Sequence, residues 1–198
     1  MKKYFLNVGF LCLCAGFVFV GCNKDDDDLE TSVVADNKIT VTVDAPNVAV
    51  VKARMDDYEG DGDATMDECD YSNGGFALTL PATLDAEYLE PLVDVFPSGI
   101  SVSDKNTKMG DLLIYGHNAD GASIGAFYYG SNTCNGEYTY VDRNVTITGS
   151  YTDGDGYKTV FNVSLVKGWN IVYSTETEKI CTVTTSNPGG LSWYFESY

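Results

Sequence analysis

"FNVSLVKGWNIVYS", Phe161 to Ser174, is the stretch whose reading decides the fold. Two short runs rich in β-branched and aromatic residues flank Lys167-Gly168, where the glycine can take the positive φ that a two-residue turn requires. The spacing predicts a β-hairpin. Outward from it the same grammar repeats: "ITVTVDA", "VAVVKAR", "GFALTLP", "GISVSD", "DLLIYGH", "IGAFYYG", "EYTYVD", "NVTITGSYT", "ICTVTTS" and "LSWYFES" are short β-runs. Between them stand Asn73-Gly74, Asp120-Gly121, Asn135-Gly136 and Asp153-Gly154-Asp155-Gly156, which are turn chemistry. Many short strands with Gly-bearing turns predict an all-β fold, an antiparallel β-sandwich with a β-barrel as the alternative.

A single short helix is expected, over "TLDAEYLEPL". Thr83 is its predicted N-cap, Asp85 and Glu87 suit the first turn, Leu84 and Tyr88 share a face, and Pro91 limits its length. In the last run Leu191, Trp193 and Phe195 share one side by period-two alternation and are expected in the core. Trp169, just after the Lys167-Gly168 turn, is expected as a buried anchor.

The chain has 198 residues, 29 acidic and 12 basic, for a net charge of −17. Nucleic acid is bound by Lys/Arg-rich surfaces, so that charge argues against it as a partner. An acidic chain also matches an anionic membrane surface poorly, so membrane attachment needs another cause. The N-terminus supplies one. Lys2 and Lys3 precede the apolar run Tyr4 to Val20, which is short for a bilayer span and lacks a basic stop-transfer flank. Residues 1–21 therefore read as an export signal, 22–36 as an acidic tether and 37–198 as one β-domain.

"FVGC", Phe19 to Cys22, resembles a bacterial lipobox, with Phe19 in place of the usual leucine. The resemblance implies that Cys22 becomes the acylated N-terminus, and several acyl chains anchor a protein stably. "CNKDDDD" then resembles the export signal of surface-exposed Bacteroidota lipoproteins, with Lys24, Asp25, Asp26, Asp27 and Asp28 as the address. A run of like charges also makes a solvated, extended leash. The strings "YSNGGFALTLPATLDAEYLEP", "YVDRNVTITGSYTD" and "GGLSWYFES" are similar to small all-β lipoproteins of the same group. That resemblance covers residues 38–198. It implies a place on the outer membrane, lipid-anchored and facing outward, and supplies no activity, cofactor or catalytic residue.

"DYEGDGDATMDE", Asp57 to Glu68, follows the spacing of a twelve-residue calcium loop. Asp57, Glu59, Asp61, Asp63, Thr65 and Glu68 occupy the ligand positions and Gly62 the turn. The flanking segments read as strand and turn instead of helices, so a solvated acidic loop is the simpler account. Ca2+ is the one ion the sequence suggests, and no cofactor is required. With Cys12 and Cys14 removed in the export signal, three thiols remain besides Cys22: Cys69, Cys134 and Cys181. Cys69 and Cys134 both sit in turn-like stretches and are the preferred pair if one bridge forms.

Enzymatic chemistry finds little footing. His117 is the one histidine, the G-x-S-x-G spacing of Gly121 to Gly125 falls between two β-runs instead of on the strand-to-helix turn of a nucleophile elbow, and phosphate-loop and dinucleotide fingerprints are absent. Two carboxylates suffice for a glycosidase, but no pair stands out. The expectation is a non-enzymatic binding module for a glycan or an extracellular protein, with a structural or adhesive component of the cell surface as the alternative. Sugar rings dock on aromatic faces with polar groups fixing orientation. Among 14 tyrosines, Tyr128, Tyr129, Tyr138 and Tyr140 lie on neighbouring candidate strands and are the predicted ligand-binding residues.

Overall fold

Alternation carries most of the chain into strands. A computed structural model of the protein describes residues 34–55, 64–92 and 96–198. Its strands are β1 (Lys38–Thr42), β2 (Val50–Met55), β3 (Thr65–Asp70), β4 (Gly75–Thr79), β5 (Glu90–Pro91), β6 (Ile100–Val102) and β7 (Lys108–His117). They continue as β8 (Ser123–Gly130), β9 (Cys134–Val141), β10 (Val145–Thr152), β11 (Lys158–Leu165), β12 (Gly168–Glu176), β13 (Ile180–Thr184) and β14 (Ser192–Ser197). In β1, Ile39 and Val41 are buried while Lys38, Thr40 and Thr42 are exposed. The pleat thus sends one apolar set inward.

β1 and β4 form a two-stranded sheet that packs on a twelve-stranded one. The large sheet runs β3-β2-β7-β8-β9-β12-β13-β11-β10-β6, with β14 joined to β8 and β5 to β7. The arrangement is a sandwich and not a closed barrel. Two apolar clusters hold it together. The larger gathers Ile39, Val41, Phe76 and Leu78 of the small sheet with Val51, Ala53, Leu112, Ile114, Phe127 and Trp169 of the large one. The second combines Leu92, Val141, Val145, Ile147, Val163 and Leu165, with Phe96 edge-on to Phe161 at 5.2 Å. Each fully buried side chain of this kind contributes about 1.5–3 kcal/mol relative to exposure. Val34, which the sequence places in the tether, is 7% exposed, and its amide donates to the carbonyl of Trp169. The packed domain therefore takes in Val34.

Trp169 is buried as expected, 1% exposed, with Nε1 donating to the Pro81 carbonyl at 2.8 Å and its ring edge-on to Tyr140. The hairpin predicted around it is corrected. Gly168 does take a positive φ of 105°, but β11 pairs with β10 and β13, and β12 with β9 and β13. The two strands splay and β13 enters between them, parallel to β11. Asn170 makes this possible at the turn. Its Oδ1 accepts from the Val166 amide at 3.1 Å, and its Nδ2 donates to the carbonyls of Val166 and Gly168. One fully buried amide side chain thereby satisfies backbone groups that a hairpin ladder would have paired.

The predicted helix is also corrected. Only a three-residue 3-10 turn, Ala86–Tyr88, forms there; Asp85 precedes it without a side-chain cap, and β5 follows at once. Pro81 and Pro91 bracket too few residues for a stable helix. Leu84 and Tyr88 pack partly buried against the larger core. The Asn73-Gly74 turn does match its reading, with φ of 54° and 73° and paired hydrogen bonds between Ser72 and Gly75. It turns the chain from the large sheet into the small one.

Candidate ligand-binding face

The junction of β7, β8 and β14 brings the aromatic residues together, and it treats its two faces differently. On the inner face Tyr129 stands opposite Trp193, and Phe127 opposite Phe195. Their ring centroids are 5.4 and 4.9 Å apart, and Trp193 also stacks on Tyr138 at 6.0 Å. Trp193 and Phe195 thus pack against the core as alternation predicts. Glycines make room for them. A Cβ at Gly116 would lie 2.8 Å from the Phe195 ring, and one at Gly136 would lie 2.8 Å from Tyr129.

On the outer face Tyr128 stands opposite Tyr194, with rings 5.5 Å apart and 25° from parallel. Tyr128 is 40% exposed. In the next row Tyr115, Ala126 and Glu196 lie side by side across the three strands. Burial pushes the Tyr128 phenol above its ordinary range, with Tyr198, Glu196, Tyr115 and Tyr194 adding to it, so these five side chains are neighbours. Burial raises Tyr194 as well, again with Glu196 adding. Phenols held protonated in this way offer aromatic faces, a hydroxyl donor and no negative charge of their own.

The four predicted tyrosines therefore do not form one surface. Tyr128 is on the open face. Tyr129 and Tyr138 are on the opposite face, where burial drives the Tyr138 phenol strongly upward, and Tyr140 is buried against Trp169. Adjacent residues of a strand point to opposite sides, so Tyr128 and Tyr129 could not share a platform. Tyr115 and Tyr194 were missed because only the β7–β8–β14 pairing brings them to Tyr128. Period-two spacing marked Tyr194 as lying on the side away from Trp193, and that was the one available signal.

Further along the same large-sheet face lies Glu137. Its side chain reaches solvent, yet the surrounding strands crowd it, and burial pushes its carboxyl up to about 7 with the Asp111 charge adding. Asp111 accepts a hydrogen bond from the Thr139 hydroxyl at 2.6 Å.

The remaining sequence expectations fall elsewhere. Cys22 and Lys24 to Asp28 lie outside the described residues, as do Asp57, Glu59, Asp61 and Asp63. Of the proposed calcium ligands, Thr65 and Glu68 lie on β3, and Glu68 is 3.2 Å from the Lys52 ammonium. Among the described residues no group of three or more His, Cys, Asp or Glu is placed to hold a metal ion. In the Asp153-Gly154-Asp155-Gly156 turn, Asp153 Oδ1 accepts from the amides of Asp155 and Tyr157, which is hairpin chemistry.

Cys69, Cys134 and Cys181 are free. The preferred Cys69–Cys134 bridge is not formed, because Cys69 sits on β3 opposite Val51 while Cys134 sits on β9 opposite Thr175. β2 and β7 intervene. Burial raises all three thiols above their ordinary range and keeps them protonated. His117 faces the backbone of its own turn, with Nδ1 3.2 Å from the Gly121 carbonyl and a buried Nε2 that has no hydrogen-bond partner.

No protein-family model, curated protein or solved structure matches this chain.

Proposed function

We propose that the protein is a lipoprotein acylated on Cys22, carried to the outer face of the outer membrane, whose β-domain captures glycans without turning them over. One observation carries the binding half: the stacked, partly exposed Tyr128–Tyr194 pair on an open sheet face. Ordinary surface tyrosines occur singly and need no explanation, whereas paired rings beside polar groups match the way sugar sites are built. The lipobox-like "FVGC" and the following aspartates support the anchoring half.

A glycan array probed with the purified protein, Tyr128→Ala and Tyr194→Ala tests the binding. The reading expects a glycan signal lost in both variants at unchanged melting temperature. A protein silent toward every glycan would contradict it. For the anchor, Cys22→Ser is expected to abolish acyl labelling. Replacing Asp25 to Asp28 by alanine is expected to keep the lipid and lose protease accessibility on intact cells.

The second reading, a structural or adhesive component, draws on β14, which has β8 as its one partner among the described strands. A strand edge of that kind is a template for pairing with another chain. Self-association that a disrupted β14 edge abolishes would favour this reading over glycan capture. Calcium stays with either reading as a proposed stabiliser through the Asp57 to Glu68 segment, tested by calorimetry on the metal-stripped protein.

A further inference from the structure

Residues 44–47 of the β1–β2 connection, the start of the β7–β8 turn and the end of β14 surround a cavity of about 380 Å³ that opens to solvent. That volume is at the small end of the ~300–1,000 Å³ range of small-molecule sites, so it suits a ring-sized ligand. Both walls are fixed by the fold. On one side the Tyr71 hydroxyl accepts from the Ala45 amide at 2.9 Å and donates to the Val43 carbonyl, and Ala45 is buried. Asn47 follows with a φ of 67°, in the left-handed region that asparagine tolerates. On the other side Asn118 Oδ1 accepts from the amides of Asp120 and Ala122, and the Tyr198 amide donates to the Ile124 carbonyl at 3.1 Å. Walls ordered in advance spare a ligand the entropy of ordering them.

The lining combines two aromatic rings, Phe195 and Tyr198, with unengaged polar groups. Asp44, Asn47 and Ser197 are exposed, and their side chains have no hydrogen-bond or ion-pair partner among the described residues. With its Oδ1 committed to the turn, Asn118 is left with Nδ2 as an unengaged donor. Asp44, the one charged side chain of the lining, only accepts; Asn118 Nδ2 only donates; Asn47 and Ser197 can do both. An ammonium group needs acceptors throughout, and a carboxylate needs donors throughout. A neighbouring pair of sugar hydroxyls donates and accepts at once, which matches this set. Tyr198, 79% exposed, also neighbours Tyr128 and so joins the cleft to the open face.

We propose that this cleft is the polar subsite of the glycan site and receives an uncharged pyranose residue through a vicinal hydroxyl pair, one hydroxyl donating to Asp44 and the other accepting from Asn118 Nδ2. The inference rests on the glycan-binding reading and names its substrate class: neutral glycans. Sugars that bring a carboxylate into the cleft are refused by the Asp44 charge.

A glycan array carrying neutral, uronate-bearing and sialylated oligosaccharides, read with the full-length protein and followed by calorimetry on the strongest hit, tests this. Neutral glycans are expected to give the strongest signals. Asp44→Asn and Asn118→Asp should each weaken the strongest hit about 10-fold, the equivalent of ~1.4 kcal/mol, at unchanged melting temperature. Asn118→Asp keeps the acceptor that the Asp120 and Ala122 amides use, so the turn stays formed while the donor is lost.

Unchanged affinity in both variants, with binding still lost in Tyr128→Ala, would overturn the inference and leave glycan capture standing. An array silent toward every glycan would overturn the underlying reading. Strongest signals from uronate-bearing or sialylated glycans, or tighter binding by Asn118→Asp, would overturn the neutral-sugar assignment, the latter in favour of a cationic ligand.

Discussion

The two faces of β8 and β14 are built from alternate residues of the same two strands and meet opposite fates. Phe127, Tyr129, Trp193 and Phe195 turn inward, where Phe76 adds an edge-on contact to Trp193 at 6.3 Å and another to Phe127 at 4.8 Å. Tyr128 and Tyr194 turn outward onto the face that carries Glu196. Composition does not separate them, because both sets are aromatic. What separates them is a second layer: β1 and β4 cover one side of the junction. An aromatic residue in a strand is thus core or platform according to what packs over it.

That contrast predicts unequal responses to truncation. Trp193→Ala removes contacts to Tyr129, Tyr138 and Phe76 together, and is expected to destabilise the domain by about 3 kcal/mol in chemical denaturation. A loss below about 1 kcal/mol would show that the inner face is not core. Gly125→Ala attacks the seam itself. Its new Cβ would collide with the Glu196 carbonyl and lie 2.5 Å from the Phe195 ring, so β14 would have to move off β8. The expected cost is about 1–3 kcal/mol, with faster amide exchange confined to β14.

Tyr128→Ala, on the open face, is expected to cost less than about 1 kcal/mol, the scale of one cross-strand pair. Equal destabilisation by Tyr128→Ala and Trp193→Ala would erase the distinction between the faces.

The smallest expected effect is a pH dependence. Burial raises the Glu137 carboxyl to about 7, above its unfolded value of 4.5, so the folded protein binds more protons than the unfolded chain between those limits. Stability contributed by this group therefore falls as pH rises from about 4.5 to about 7 and is level above that. Thermal melts of Glu137→Gln should lack this part of the pH dependence and lie above the unsubstituted protein at pH 7.5. Coincident pH profiles would remove Glu137 from the account.

How far the sequence carried depended on the range of the interaction. Period-two alternation placed Trp193 and Phe195 inside, and Asn73-Gly74 marked its turn, because both signals are local. The Lys167-Gly168 turn was legible as well, but the strands beside it were assigned to each other wrongly. The insertion of β13 parallel to β11 is a non-local event, and its local trace is the single buried residue Asn170. The predicted tyrosine surface failed similarly. Tyr128 does lie on the open face, but its neighbours on the same strands were expected to share that face and do not, and Tyr115 and Tyr194 join it only through pairing across β7, β8 and β14. The predicted helix failed because Leu84 and Tyr88 satisfy the core from a 3-10 turn as well as they would from a helix.

Ring-selective NMR of the tyrosines during titration with the glycan that gives the strongest array signal tests the central claim most directly. Glycan capture on the open face predicts saturable shifts for Tyr115, Tyr128 and Tyr194 while Tyr129, Tyr138 and Tyr140 stay fixed. Shifts confined to Tyr129 and Tyr138, or no shift in any ring at saturating glycan, would contradict it.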